Sequence, residues 1–293
     1  MQKKDGHTHT VYSHHGSQEV LDAYIERAIA LGFDTYVVTE HAPLPEKFLA
    51  NFVGPKESRD SSAMALSELE DYQNQVVHVQ EKYGNQINIK RGFEVDYLLG
   101  YEPETKQFLQ QHNDWIDEIV LSVHFLPDRH GNLIPIDYQP ESLSQYFATE
   151  LQTPQALFAK YFDVVKKSVG FDMELDVPVR IGHITLIRKY QKYFNLPPFD
   201  DSVHRQITEL LTLILEKGYE LDFNAAGFSK PFNGESYPTF DIVAEARQLG
   251  LPLVYGSDAH SVDALGLHFS EMAEFLENIS VDKSKNDVII KLI

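Results

Sequence analysis

The sequence lacks cysteine altogether, so it can form neither disulfide bonds nor thiolate metal sites. Any metal ion would have to be bound through nitrogen and oxygen atoms, which zinc, manganese and iron all accept. No apolar run is long enough to span a membrane, and residues 1–5 carry no apolar segment of a signal peptide. We therefore expect a cytoplasmic protein without a membrane partner.

Basic residues are also scarce. The chain has 25 Lys and Arg against 44 Asp and Glu, which gives a formal net charge of -19. A surface of that sign repels polyanions, so we expect no nucleic-acid partner. A small phosphate ester remains compatible with this charge, because bound divalent ions supply positive charge that a count of side chains ignores.

The sequence has no linker rich in proline, glycine or serine, no low-complexity tract and no short repeat. Its 293 residues, 43% of them hydrophobic, are enough for one large α/β domain with a substantial core. We therefore assign residues 1–293 to a single domain.

Apolar strand patterns alternate with amphipathic helix patterns along the whole chain. After a short first strand, strands are predicted at 35–39, 87–94, 119–123, 179–181, 219–223 and 251–255. Helices are predicted at 18–31 with Ser17 as N-cap, 63–83, 104–112, from 153–154 onward, 201–217, from 238 onward, and 269–276. The segments 42–62 and 127–140 are predicted to be polar loops.

About seven such units imply a parallel sheet, either closed into a barrel or open and doubly wound. Histidines and carboxylates follow the predicted strands along the whole chain: His7, His9, His14 or His15, His41, Glu94, His124, His183, Asp258 and His260. A barrel brings all these strand ends to one mouth, whereas the outer strands of an open sheet lie too far apart. We therefore favour a barrel that carries a multinuclear metal site and acts as a hydrolase.

His7 and His9 strengthen this prediction, because residues two apart in a strand point to the same face and can reach one ion. The remaining histidines lie in predicted helices, in a polar loop or near helix starts, and we expect no role for them in the site: His78, His112, His130, His204 and His268.

The ordered set of motifs resembles the PHP (polymerase and histidinol phosphatase) superfamily, from Asp5 to His260. The motifs are His7-x-His9, Thr39-Glu40-His41, Gly92-Phe93-Glu94, Ser122-Val123-His124, Gly182-His183 and Ser257-Asp258-Ala259-His260. Further segments resemble the histidinol-phosphatase branch: Val95-Asp96-Tyr97, Arg188-Lys189-Tyr190 and Asn224-Ala225-Ala226-Gly227. The resemblance implies a distorted (β/α)7 barrel, TIM-like, with the metal site at the C-terminal ends of the strands.

The resemblance also implies a trinuclear site of zinc, manganese or iron ions. The first ion would be bound by His7, His9, Glu94 and Asp258; Glu94 would bridge to a second, completed by His124 and His183; the third would be bound by His15, His41 and His260. The spacing after His9 favours His15 over His14. Glu40 either supports a ligand from behind or ends its strand.

The implied reaction is the hydrolysis of L-histidinol phosphate to L-histidinol and phosphate, a step of histidine biosynthesis. A metal-bridging hydroxide would attack phosphorus, and Asp258 or His260 could pass a proton to the leaving alkoxide. Arg188 and Lys230 would bind the phosphate. Two positions depart from the family pattern, Thr185 and Ser229, so either the phosphate affinity is weaker or Arg180 substitutes as a cation.

Carboxylates at or beyond the strand ends would suit the ammonium group of such a substrate, and the candidates are Glu40, Asp96 and Asp137. Two other functions stay open at this point. One is a PHP phosphoesterase for another small phosphate ester or a nucleotide. The other is a metal-stabilised binding module without turnover, which is disfavoured because structural metal sites are normally closed by four ligands.

Overall fold

The structure, a computed structural model, describes residues 1–280 and 289–290. Within those residues, seven parallel strands form one sheet whose order follows the chain. The sheet contains β1 (Lys4–Asp5), β2 (Thr35–Val38), β3 (Asn88–Asp96), β4 (Glu118–Ser122), β7 (Val179–Ile181), β8 (Glu220–Asn224) and β9 (Leu253–Gly256). Between β4 and β7, the strands β5 (Phe125–Pro127) and β6 (Leu133–Pro135) form a separate antiparallel hairpin. Near the end of the chain, β10 (Ile279–Ser280) pairs antiparallel with β11 (Ile289–Ile290).

The sheet closes on itself between its first and last strands. The amide of Gly6 donates a hydrogen bond of 2.8 Å to the carbonyl of Tyr255, and the amide of His9 donates one of 3.1 Å to Ala259. Parallel pairing therefore continues around the ring, and the prediction of a distorted (β/α)7 barrel is confirmed. The alternative of an open doubly wound sheet was wrong.

Helices surround the barrel, and the longer ones bury an apolar face against it. The helices are α1 (Leu21–Ala30), α2 (Glu46–Asn51), α3 (Lys56–Ser61), α4 (Leu69–Tyr83), α5 (Glu102–Gln111), α6 (Pro140–Tyr146), α7 (Pro154–Gly170), α8 (Asp201–Glu216), α9 (Phe240–Leu249) and α10 (Phe269–Asn278). In α8 the buried residues follow the helical period: Val203, Ile207, Leu210, Leu211 and Ile214. Asp200 caps this helix by accepting hydrogen bonds from the amides of Ser202 and Val203. None of the described helices has the length and apolar character needed to cross a bilayer.

Local sequence signals misplaced several boundaries. The first helix begins at Leu21, and the Ser17 hydroxyl donates to Glu19 instead of capping it. The predicted loop at 42–62 contains α2 and α3, each preceded by a proline that fixes the backbone before the first turn. The predicted loop at 127–140 contains part of the β5–β6 hairpin.

The N-terminal end of the barrel is closed by buried charges. Arg180 in β7 is 1% exposed, and its guanidinium lies 3.0 Å from Glu118 and 2.8 Å from Glu220. The ammonium of Lys4 lies 2.6 Å from the same Glu118 carboxylate. These acids begin their strands, so Arg180 lies at the end of the barrel opposite the strand-end histidines. The expectation that Arg180 could substitute as a phosphate-binding residue was therefore wrong.

Candidate metal centre

The barrel brings the predicted ligands together at the C-terminal ends of its strands. His7 and His9 follow β1, and Glu94 lies within β3. The others follow β2, β4, β7 and β9, in that order: His41, His124, His183, and the pair Asp258 and His260. Most of these side chains are almost entirely buried, so the strand ends form a cluster of imidazoles and carboxylates shielded from solvent.

Glu94 lies at the centre of this cluster. Its Oε1 is 2.9 Å from Nε2 of His183 and 3.6 Å from Nε2 of His124. Its Oε2 faces three other imidazoles: Nδ1 of His41 at 3.0 Å, Nε2 of His7 at 3.3 Å and Nε2 of His9 at 3.4 Å. Each oxygen of one carboxylate thus serves a different group of histidines, which is the arrangement that a carboxylate bridging two cations requires.

Acidic residues behind the histidines fix the orientation of three rings. The Nδ1 atoms face carboxylates: His7 with Asp222 at 2.8 Å, His9 with Glu40 at 3.3 Å, and His124 with Asp96 at 2.7 Å. A neutral imidazole that donates from Nδ1 leaves Nε2 as an unprotonated acceptor. These contacts therefore direct Nε2 of each ring towards the cluster.

The polar atoms of the cluster fit a cation. Several buried side-chain atoms lack a hydrogen-bond partner of acceptable geometry: Nε2 of His7, His9 and His260, Nδ1 of His183, both nitrogens of His41, and Oε2 of Glu94. Leaving such groups unpaired costs on the order of 1–3 kcal/mol each. Four overlapping sets of three side chains place their ligand atoms within 4.8 Å of one another: His9, His41 and His260; His7, His9 and Glu94; His7, His183 and Asp258; His41, Glu94 and His124. Nitrogen and oxygen donors in such groups suit divalent transition metals.

The side chain of Asp258, which follows the last barrel strand, contacts His9, which follows the first. Its Oδ1 lies 3.1 Å from Nε2 of His9, and its Oδ2 accepts a hydrogen bond of 3.1 Å from Asn224. The backbone φ angles of Asp258 and His183 are 51° and 22°, a region that residues with a side chain rarely adopt. Such strain is common where a side chain must be directed into a functional site.

His14 and His15 have different surroundings. The ring of His15 lies 4.5 Å from that of His260 and 5.4 Å from that of His41, measured between centroids, and its Nδ1 donates to the carbonyl of Ser61 at 2.8 Å. His14 instead pairs with Glu68 at 2.9 Å on the surface. His15 belongs to none of the four sets above, but it is the one of the two that lies beside the cluster.

Carboxylates raise the pKa of three histidines despite their burial. Burial alone lowers the pKa of His7, but Glu94, Asp222 and Asp258 together raise it well above its ordinary value. Burial likewise opposes the shift in the other two, where nearby carboxylates raise the pKa of His9 to about 9 and that of His124 to about 10. In the absence of metal these rings therefore carry protons at neutral pH.

The opposite shifts occur at the partners of these histidines. Burial favours the neutral form of Glu94 and Asp258, but the surrounding imidazoles lower the pKa of both carboxyls well below the usual range. On the side of the cluster away from most carboxylates, burial lowers the pKa of His260 far below its ordinary value. Burial and the neighbouring His41 lower that of His15 to about 4. The cluster therefore combines ionised carboxylates and three protonated imidazoles with two imidazoles, His15 and His260, whose lowered pKa keeps them neutral.

A cavity of about 300 Å³ opens onto the cluster. Besides the histidines and acids described above, charged and aromatic side chains line it: Asp137, Tyr138, Lys189, Lys230 and Tyr237. Lys230 therefore lies where a phosphate-binding residue was predicted. Burial and the nearby Lys189 lower its pKa below the ordinary value.

Arg188 does not reach this cavity. Its guanidinium lies 4.9 Å from the ring centroid of Phe199 and 5.7 Å from that of Phe158, and it donates a hydrogen bond of 2.9 Å to the carbonyl of Pro197. The short 3-10 turn Leu186–Arg188 directs this residue outward and the next one, Lys189, inward. The prediction that Arg188 binds phosphate is therefore not supported by its position.

Sequence reasoning missed Lys189 and Asp222. Asp222 stands between Leu221 and Phe223 in a strand that is buried on both faces. An acidic residue in such a strand is costly unless it has a partner, and that cost was the available signal. No comparable signal distinguished Lys189 from Arg188, because the direction of each side chain depends on the turn.

The chain is similar to proteins of known family over almost its whole length. The PHP domain family matches residues 5–226. The histidinol-phosphatase of Bacillus subtilis (strain 168) is 36% identical over 276 residues, which cover 94% of this chain and 99% of the relative. The histidinol-phosphatase of Saccharomyces cerevisiae is 24% identical over 319 residues, covering 93% and 88% of the two chains.

Two solved structures have the same fold. A candidate histidinol phosphatase from Listeria monocytogenes is 39% identical, with a TM-score of 0.86 over 92% of this chain and 99% of that one. The histidinol phosphate phosphatase of Lactococcus lactis, solved with zinc, L-histidinol and phosphate, is 20% identical. Its TM-score is 0.63, over 94% of this chain and 93% of that one.

Proposed function

Because the chain belongs to the PHP domain family, we propose that it is a histidinol-phosphatase, a metal-dependent phosphomonoesterase that releases L-histidinol and phosphate from L-histidinol phosphate. The observation that carries the proposal is the position of Glu94, whose two oxygens face two groups of imidazoles with unpaired nitrogens. Residues 1–293 form one catalytic domain in this proposal.

The ligands are assigned to three divalent ions. His7, His9, Glu94 and Asp258 bind the first; Glu94, His124 and His183 bind the second; His15, His41 and His260 bind the third. The unpaired atoms of the cluster support this assignment, and the position of His15 beside His260 supports its inclusion. Zinc, manganese and iron all suit these donors, and zinc is present in the Lactococcus lactis structure.

When bound, the divalent ions supply Lewis-acid activation of water at neutral pH and neutralise charge on the phosphate. The chain's own residues prepare the site for this chemistry. Asp222, Glu40 and Asp96 keep three imidazoles in the tautomer that presents Nε2 to the cluster.

Residues that line the cavity bind the substrate and transfer a proton to its leaving group. The ammonium groups of Lys230 and Lys189 bind phosphate oxygens as point charges and stabilise the charge that develops during displacement at phosphorus. Asp258 or His260, both of which line the cavity, takes up the proton of the attacking water and passes it to the leaving alkoxide. A role in histidine biosynthesis follows from this reaction, and a cytoplasmic location stays a prediction from the sequence.

The test is phosphate release from L-histidinol phosphate and from a panel of nucleotides and simple phosphate esters. Chelator-treated protein would be assayed alone and after addition of zinc, manganese or iron. We expect metal-dependent turnover with L-histidinol phosphate as the preferred substrate, and loss of turnover in Glu94→Gln. If a nucleotide is the preferred substrate, the chain is a phosphoesterase of a different specificity. If metal binds but no ester is hydrolysed, the chain is a metal-binding module and not an enzyme.

A further inference from the structure

The cavity contains one acidic side chain that the histidine cluster does not use. Of the acids that line it, Glu94 and Asp258 belong to the cluster, and Asp96 accepts a hydrogen bond from His124. Asp137 has no histidine within salt-bridge distance in the part of the chain that the structure describes. Its carboxylate therefore serves no imidazole of the cluster and pairs with Lys189 instead.

Asp137 is held in place by the segment that follows β7. The Lys189 ammonium lies 3.0 Å from its carboxylate, and the Tyr190 hydroxyl donates a hydrogen bond of 2.6 Å to its backbone carbonyl. The side chains of Lys189 and Asp137 are only 19% and 24% exposed. Burial alone raises the pKa of the Asp137 carboxyl, but Lys189 and His124 lower it below its ordinary value, so the group is ionised.

The surroundings of this pair contain further groups without partners. Lys230 lines the same cavity, and its ammonium has no ion-pair partner among residues 1–280. The hydroxyl of Tyr237, a residue that is 2% exposed, lines the cavity and has no hydrogen-bond partner. One partly buried anion, two cations and a free hydroxyl thus line the same space beside the metal centre.

This pattern matches a substrate that carries both a phosphate and an ammonium group. We propose that Asp137 binds the ammonium of the substrate, and that Lys189, released from Asp137, joins Lys230 on the phosphate. In L-histidinol phosphate the ammonium stands on the carbon next to the one that bears the ester, so both ends lie close together. The ammonium replaces that of Lys189 at Asp137, so the partly buried carboxylate always has a cation beside it. This inference rests on the proposed function and assigns its specificity to Asp137.

The test compares two esters that differ only in the amine. L-histidinol phosphate is compared with 3-(imidazol-4-yl)propyl phosphate, which keeps the ring and the ester but lacks the ammonium. We expect Asp137→Asn to lower kcat/KM for the amine ester by about 10- to 100-fold, the usual effect of losing a charge-assisted contact. For the ester without the amine the change should be less than about three-fold.

Three further variants separate the roles. Lys189→Met should lower kcat/KM more for the amine ester than for the ester without the amine, because only the ammonium frees Lys189 from Asp137 to reach the phosphate. Asp137→Glu keeps the charge and should retain part of the preference for the amine ester. Glu141→Gln changes a carboxylate that lies outside the cavity, four residues along the chain, and should alter neither value. Metal content and thermal midpoint are measured for each variant to identify misfolding.

The outcomes separate the two proposals. An equal loss for both esters in Asp137→Asn would mean that this residue acts through the metal centre or the fold, and would overturn the inference alone. An unchanged preference for the amine ester would also overturn it. If the wild-type protein hydrolyses other esters but not L-histidinol phosphate, the proposed function itself is wrong and the inference falls with it.

Discussion

At the scale of single residues, two adjacent histidines give a matched test of the metal centre. His15 lies beside His260 and His41, whereas His14 pairs with Glu68 at the surface. We expect His15→Ala to lower the metal content by about one ion per chain and kcat/KM by at least about ten-fold, because the third ion loses a ligand. His14→Ala should change kcat/KM by less than about two-fold.

Elemental analysis of the two purified variants, together with the phosphate-release assay, checks this prediction. Both variants remove an imidazole from the same loop, so a general effect on folding would appear in both. Full metal content in His15→Ala would remove this residue from the ligand set.

Asp222 gives a second prediction at this scale, because it supports the cluster from behind, through the backbone amide of His183 and the ring of His7. Its carboxylate accepts from Nδ1 of that histidine at 2.8 Å. Asp222→Asn keeps the shape but can no longer hold the tautomer through a charged acceptor. We expect metal affinity to fall by about 10- to 100-fold.

Competition with a chelator of known affinity measures that change. Asp163→Asn, on the exposed face of α7, is the control and should leave the affinity unchanged. Equal affinities in the two variants would mean that Asp222 has only a structural role.

These residues also show what the sequence could reveal. The cluster of histidines and carboxylates was predictable because most of its members lie at or just after strand ends, and a barrel brings strand ends together. The choice between Arg188 and Lys189 was not predictable. Both are basic and adjacent, and only the turn Leu186–Arg188 determines which one reaches the cavity. Asp222 left a signal, since an acid in a buried strand needs a partner, but the sequence did not show that this partner is the distant His7.

At the scale of secondary-structure elements, the barrel closes over a buried network of charges. Arg180 in β7 pairs with Glu118 and Glu220, which begin β4 and β8, and it also donates to the carbonyl of Gly6. Removing the cation leaves acidic groups buried with incomplete compensation. We expect Arg180→Met to destabilise the protein by about 3–5 kcal/mol.

Urea unfolding measures this loss, with an exposed ion pair as the control. Lys166 pairs with Glu209 at 2.8 Å, but the two side chains are 47% and 63% exposed. Lys166→Met should therefore cost less than about 1 kcal/mol. Similar costs for the two variants would show that the buried network contributes no more than a surface pair.

The element boundaries were less predictable than the strand order. Ser17 has the chemistry of an N-cap, but its hydroxyl binds Glu19, and the helix starts at Leu21. In 42–62, two short helices follow prolines, and neither is long enough to produce an amphipathic pattern. The strand order could be predicted because each strand and its helix follow one another along the chain.

At the scale of the whole molecule, protonation of the histidines in the metal centre affects the free energy of unfolding of the metal-free protein. In the metal-free protein the pKa of His9 is raised to about 9 and that of His124 to about 10, and that of His7 is also raised. A histidine in the unfolded chain has a pKa of about 6.5. The folded metal-free protein therefore holds more protons than the unfolded chain above neutral pH.

The sign of the effect follows from that difference. A raised histidine pKa contributes stability that is complete below about pH 6.5 and is lost as the pH rises through the folded value. The window for His9 and His124 thus extends from about pH 6.5 to their folded values of about 9 and 10. We expect the thermal midpoint of chelator-treated protein to fall between about pH 7 and pH 9.5, and the metal-bound protein to show a smaller change, because its ligand histidines carry no displaceable protons.

Scans of the thermal midpoint against pH, with and without added zinc or manganese, test this coupling, and Asp96→Asn isolates one component. Asp96 contacts Nδ1 of His124 at 2.7 Å and helps to raise its pKa, so its loss should flatten the pH dependence of the metal-free protein.

Metal binding to the wild-type protein should release protons at pH 7, which calorimetry in buffers of different ionisation enthalpy detects. The variant should release fewer protons than the wild type. Equal proton release by the two proteins would mean that His124 is already neutral before metal binds. In that case the protons that metal displaces come from the other histidines around Glu94.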